Sequence, residues 1–103
     1  MSLDSALPVY ANTAVTADVD LAVAASANLR FVGFGCRETA ATAGVATFRI
    51  LNGSIASGAL LVPVELSPNE SRLDFLLPGL VSTNGISIDW VAGTFEIALY
   101  YMT

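Results

Sequence analysis

Gly85-Ile86-Ser87-Ile88-Asp89-Trp90-Val91-Ala92-Gly93-Thr94-Phe95-Glu96-Ile97-Ala98-Leu99-Tyr100-Tyr101-Met102 decides the fold. Ile86, Ile88 and Trp90 alternate with Ser87, Asp89 and Val91, and a period of two gives a strand one buried face. Ala92-Gly93-Thr94 is a short hairpin turn. Beyond it Phe95, Ile97, Leu99 and Tyr101 oppose Thr94, Glu96, Ala98 and Tyr100. Two alternating runs joined by a tight turn are an antiparallel hairpin.

Upstream the pattern repeats. Residues 71–77 predict a strand with Leu73, Phe75 and Leu77 inward, opposite Arg72, Asp74 and Leu76, ended by Pro78-Gly79. Ala59–Leu66 reads the same way, with Leu60, Val62, Val64 and Leu66 inward. Pro63 marks that strand as an edge, because proline cannot donate to a neighbouring strand. In residues 45–51, Ala46, Phe48 and Ile50 face in, against Thr47 and Arg49. Asn52-Gly53-Ser54 and Ser67-Pro68-Asn69-Glu70 carry turn chemistry, which is the better reading of their glycosylation-type triplets. Residues 28–38 form a strand whose Gly33 and Gly35 share a face between aromatics, a sign of close approach by another group. Residues 39–44 are a small-residue loop.

Residues 12–25 predict one strand, or two with a kink near Ala17-Asp18. The alternation of Val19, Leu21 and Val23 outweighs the short helix that the alanines would suit. Pro8 prevents a helix in residues 1–11, read as an extended arm with Leu7, Val9 and Tyr10 as anchors. The expected architecture is all-β: an antiparallel sandwich of seven or eight short strands, jelly-roll or Ig-like. Residues 12–103 form its single domain.

Composition narrows function. Of 103 residues 54% are hydrophobic and 13% charged, and the net charge is -5. The four arginines, Arg30, Arg37, Arg49 and Arg72, fall on different strands, so the chain lacks the clustered cations that neutralise phosphates. Nucleic acid is therefore not an expected partner. A membrane is not one either, since no apolar run approaches the roughly 18 residues of a spanning helix. The beginning of the chain lacks the basic segment and apolar core of a secretory signal, so synthesis in a cytosol is expected. With outer strand faces so poor in charge, more apolar surface is predicted than a small domain hides alone. The chain reads as a module built for an assembly.

Candidate chemistry is sparse. The sequence has neither His nor Lys, which removes Ser-His and Cys-His pairs and Schiff-base chemistry. The nine carboxylates are expected on solvent faces and turns, so no enzyme activity and no cofactor are expected. Asp18 with Asp20, or Asn69 and Glu70 with Asp74, offer hard oxygen ligands for calcium, without a calcium-loop motif. The lone Cys36 sits in an apolar strand and reads as a buried, inert thiol. Asp89-Trp90 resembles the acid-aromatic pairing of sugar-binding sheets, but Trp90 keeps step with Ile86 and Ile88 and is read as core. Arg37-Glu38 reads as an intersubunit ion pair, against the plainer surface pair worth under about 1 kcal/mol. Tyr100 and Met102 share an outward face with Ala98, which predicts an interface.

The order of landmarks resembles a group of short proteins from tailed bacteriophages, encoded close to the major capsid protein. The first landmark is Phe31-Val32-Gly33-Phe34-Gly35-Cys36-Arg37-Glu38-Thr39-Ala40, a strand ending in Arg-Glu-Thr-Ala. A small-residue loop, the strand over residues 46–51 and Asn52-Gly53-Ser54 follow. Then come a strand ending Glu65-Leu66, Pro68-Asn69-Glu70-Ser71, Asn84-Gly85-Ile86, Ala92-Gly93-Thr94-Phe95-Glu96 and a closing aromatic strand. The likeness covers residues 29–103, about seventy per cent of the chain. It implies a small β-sandwich virion component that decorates (cements) the outer capsid surface. The implied partners are the major capsid protein and further copies of the chain, with a trimer favoured. The expected contact residues are Leu7, Val9, Tyr10, Arg37, Glu38, Tyr100 and Met102. The alternative is a tail- or fibre-associated module binding host-surface glycans.

Overall fold

Strands β1 (Val9–Val15), β2 (Val19–Leu21), β3 (Leu29–Glu38) and β4 (Ala46–Asn52) make up the first half of the chain. Strands β5 (Ala59–Leu66), β6 (Ser71–Ser82), β7 (Ile86–Ala92) and β8 (Phe95–Met102) make up the second. This is a computed structural model, and it describes residues 9–21, 29–56, 58–82 and 85–102. The strands form two four-stranded sheets, ordered β1-β8-β3-β6 and β2-β7-β4-β5. All pairings are antiparallel: β1 with β8, β2 with β7, β3 with β6 and β4 with β5, as in one long hairpin folded over on itself. The β3–β8 and β4–β7 pairings knit each sheet together. That strand order is a jelly roll and not the Ig arrangement.

The core lies between the sheets and is centred on aromatics. Phe48 of β4 and Phe95 of β8 stack across the gap with ring centroids 4.1 Å apart. Phe31 and Phe34 stack beside them from β3. The alternation in β4 holds, with Ala46, Phe48 and Ile50 fully buried. In β7 and β8, Ile86, Ile88, Phe95, Ile97, Leu99 and Tyr101 all face in, although Ser87 of β7 is buried as well, its hydroxyl donating to the Gly53 carbonyl. Gly93 makes the β7–β8 turn at φ 85°, where a Cβ would also stand 2.5 Å from the Val45 carbonyl oxygen. Asn69 takes the left-handed conformation in the β5–β6 turn, and the Glu70 amide donates to the Ser67 carbonyl. Of the two glycosylation-type triplets, Asn69-Glu70-Ser71 thus leads from this turn into β6, while in Asn52-Gly53-Ser54 Asn52 ends β4 and Gly53, at φ 112°, opens the loop after it. Pro63 lies on β5, an edge strand, as its chemistry requires.

Four expectations need correction. The arm boundary moves, because Val9, Tyr10 and Ala11 belong to β1 and pair with β8; residues 1–8, and with them Leu7, lie outside the described residues. The kink expected near Ala17-Asp18, by contrast, is borne out as the break between β1 and β2. In β5 the register slips between Ile50 and Leu51, so Leu61 packs on the core and Leu60 is left 51% exposed. In β6 the polarity is reversed. Leu73 and Phe75 face outward, while Leu76 packs against the core. Finally, Pro78-Gly79 does not end β6. The register jumps from Phe75 opposite Gly33 to Leu80 opposite Phe31, so residues 76–79 form a bulge that the strand survives.

Candidate functional site

The two outer faces of the sandwich differ in chemistry. On the β2-β7-β4-β5 sheet Arg49, Pro63 and Glu65 are exposed, and Arg49 Nε donates to Asp89 Oδ2 across the β4–β7 register at 2.9 Å. That face carries this ion pair, and it also exposes Leu60 of β5 and Val91 of β7, by 51% and 52%.

The outer face of the β1-β8-β3-β6 sheet is built in rows set by the register. One row runs Ala11, Ala98, Gly35, Leu73, and the next Val9, Tyr100, Gly33, Phe75. Neither row contains a charge. Leu73 is 62% and Phe75 55% exposed, both on the edge strand β6. The two glycines are their floor. A Cβ on Gly33 would lie 2.6 Å from the Asp74 carbonyl oxygen and 2.7 Å from Phe75 Cδ1. Because Gly33 lacks one, the Phe75 ring lies over bare backbone and meets Tyr100, centroid to centroid, at 5.7 Å. Leu73 covers Gly35 in the same way, at ordinary contact distance. The expected close approach to these glycines is thus made by side chains of the neighbouring strand. The face is raised along β6 and low over Ala11 and Ala98.

A polar row borders it. Arg37 Nε and Glu96 Oε1 are 3.0 Å apart, with side chains 58% and 39% exposed. A shallow depression of about 510 Å³ lies over Asn12, Thr13, Ala98 and this ion pair. At the opposite end Arg30 stands in register with Met102.

The structure sorts the expected contact residues. Arg37 and Tyr100 are on this face, Val9 holds a register position in it, and Met102 a position at its far end. Tyr10 is a correction. It packs against the protein's own core, and its hydroxyl accepts a hydrogen bond from Asn12 Nδ2. Glu38 is another, since it is 2% exposed and forms no pair with Arg37, which pairs with Glu96 instead. Leu73 and Phe75 are the members that sequence reasoning missed. The signal was there in Gly33 and Gly35: two glycines on one strand face leave room that bulky neighbours fill.

Glu38 has an internal task. Its Oε1 accepts from the Asn69 amide and its Oε2 from the Ala40 amide, each at 2.9 Å. One carboxylate therefore ties the end of β3 to the following loop and to the β5–β6 turn. These backbone donors, Asn69 first, hold its carboxyl below the usual range despite its burial. A carboxyl lowered on folding stabilises the protein at neutral pH, and that contribution is lost as pH falls from about 4.3 through the folded value. Glu38→Gln is expected to be less stable than the parent at pH 7, with the difference shrinking toward pH 3. Thermal melts across that range measure it.

Cys36 is buried as expected, and burial pushes its thiol up to about 11 against the opposing pull of Arg72. In native protein at pH 8 it should resist a thiol reagent, and react once the protein is unfolded in denaturant. Rapid native labelling at the unfolded rate would contradict its placement.

The other candidate groups are engaged internally. Asp18 Oδ1 accepts from the Trp90 amide, Glu70 Oε1 from the Ser67 amide, and Asp74 pairs with Arg72. Among the described residues no cluster of three or more ligating side chains could hold a metal ion. Trp90 packs against the core, and its indole N–H donates to the Gly93 carbonyl at 2.8 Å, so it presents no sugar platform. No protein-family model, no curated protein and no solved structure matches this chain.

Proposed function

We propose that the protein is a structural module of a virion, a decoration (cement) protein of a tailed bacteriophage. It binds the outer capsid surface and stabilises the shell through apolar contacts between its own copies. The observation that carries this reading is the pair of charge-free rows on the outer face of the β1-β8-β3-β6 sheet, where Leu73 and Phe75 stand more than half exposed on a glycine floor. Leu73 and Phe75 are neighbours on one strand face and form an apolar patch there, while Val45, Leu60 and Val91 are exposed elsewhere; such a patch marks an interaction surface. The jelly roll is an architecture that viral capsid domains use, although a fold alone does not assign a function. The chain's likeness to short phage proteins adds the shell as partner. The mechanism is mechanical: each bound clamp favours the assembled shell by mass action.

Purified protein mixed with empty expanded capsids is expected to co-sediment with them and to raise their melting temperature. Protein left in the supernatant at every concentration, with unchanged capsid stability, refutes the reading. A second reading, a tail or fibre module for host glycans, has one observation in its favour. Phe75 and Tyr100 form an aromatic pair near the polar depression over Asn12, Arg37 and Glu96, and lectins also use jelly rolls. Binding on a glycan array, abolished by Phe75→Ala, would favour it over capsid decoration.

A further inference from the structure

We infer that the outer face of the β1-β8-β3-β6 sheet is matched to itself, and that its occupant is the same face of a second copy, related by a two-fold axis running parallel to the strands between β3 and β8. This rests on the assembly reading above and specifies the contact within it.

The register makes the argument. Such an axis exchanges β3 with β8 and β1 with β6, so each β3 residue comes to lie over the position of its own β8 partner in the other copy. Arg37 pairs with Glu96 in register, so Arg37 of each copy lies over Glu96 of the other. Two exposed ion pairs become a four-membered network of alternating sign. Arg30 lies over the other copy's Met102 position, and not over its Arg30. Among the described residues of these rows no like charges meet, even though the whole chain carries -5. Charge complementarity at the rim of an interface sets its register in this way.

Shape agrees with charge. The raised β6 edge comes over β1 of the other copy, Leu73 over Ala11, which is small and low, and Phe75 over the Val9 position. Tyr100 comes over the Gly33 position, onto the Phe75 ring that covers that glycine, and Ala98 comes over Gly35 beside Leu73. The other in-plane axis, across the strands, would set the β6 ridge on itself and hold the sheets apart. Three rows over four strands make a patch of roughly 400 Å² from strand spacing and rise alone. Relief adds to that, and a pair would bury on the order of 1,000 Å² in total, the low end for a specific interface. A second copy is thus sufficient to cover the face, at sheet separation of about 10 Å.

The test uses the full chain and two charge variants, Arg37→Glu and Glu96→Arg. Native mass spectrometry of the parent at micromolar concentration should give twice the 10.7 kDa chain mass. Each variant alone sets like charges against each other across the axis and should shift toward the single chain, at least tenfold in dissociation constant. Mixed in equal amounts, they restore opposite charges at both crossings and should form a mixed two-chain species in preference to either alone. Circular dichroism checks that both variants fold. A parent that is a single chain or a trimer at these concentrations, or variants that do not pair on mixing, overturns the two-fold. The two proposals fail separately. A two-chain protein that ignores capsids leaves the two-fold standing and refutes decoration, whereas a single chain that co-sediments does the reverse.

Discussion

Phe48→Ala is expected to lower the free energy of unfolding by about 3 to 5 kcal/mol. Phe48 is fully buried in β4, a central strand of its sheet, and its ring stacks on Phe95 from the opposite sheet. Truncation removes the contact that bridges the two layers and leaves a void that neighbouring strands cannot fill by moving, since each is held by its own ladder. Domains of this size are stable by only about 5 to 15 kcal/mol, so the variant should melt far below the parent. Urea titration followed by Trp90 fluorescence measures the loss. Phe75→Ala is the informative control. The same side chain, 55% exposed on β6, should cost about 1 kcal/mol or less in the isolated chain. Equal losses at the two sites would refute the assignment of inner and outer faces.

Gly33→Val should have the second largest effect, about 1 to 3 kcal/mol by overpacking. Its Cβ would stand 2.6 Å from the Asp74 carbonyl oxygen, which is backbone and cannot rotate away. The β3–β6 ladder must open there, and the Phe75 ring must leave its seat. Faster amide exchange across residues 71–75, with little change in β4 and β7, is the expected signature. Gly35→Ala serves as the contrast. Its Cβ would meet Leu73 Cδ1 at 3.4 Å, a flexible methyl that can give, and the Arg72 carbonyl oxygen at an ordinary 3.8 Å. Stability should change by less than about 1 kcal/mol. If Gly35→Ala proved as damaging as Gly33→Val, the glycines would have some role other than the floor described.

These two sites also show what the residues reveal when read in order. The hairpin of β7 and β8 was legible because each strand alternates cleanly and Gly93 supplies the turn. Pro63 correctly announced an edge. Phe75 was misread because alternation states only that Leu73 and Phe75 share a side. Which side faces the core is decided by β3, whose Gly33 and Gly35 open a seat on the outer face. The β5 slip at Leu61 and the β6 bulge at residues 76–79 are likewise set by pairing partners far away in the chain. Glu38 was misjudged for a related reason. A carboxylate beside an arginine looks like half of an ion pair, and only the folded loop brings the Asn69 and Ala40 amides to it. Local pattern reports periodicity, whereas facing direction and internal hydrogen bonding are properties of the assembled sandwich.

If the apolar rows on the β1-β8-β3-β6 face make this protein part of an assembly, sedimentation should separate the parent from Leu73→Ser/Phe75→Ser. The parent is expected to sediment as more than one chain and to be retained by capsids, while the double variant, folded to the same extent, sediments as a single chain and is retained less. A parent already sedimenting as one chain, with capsid retention that the two serines leave untouched, contradicts that role.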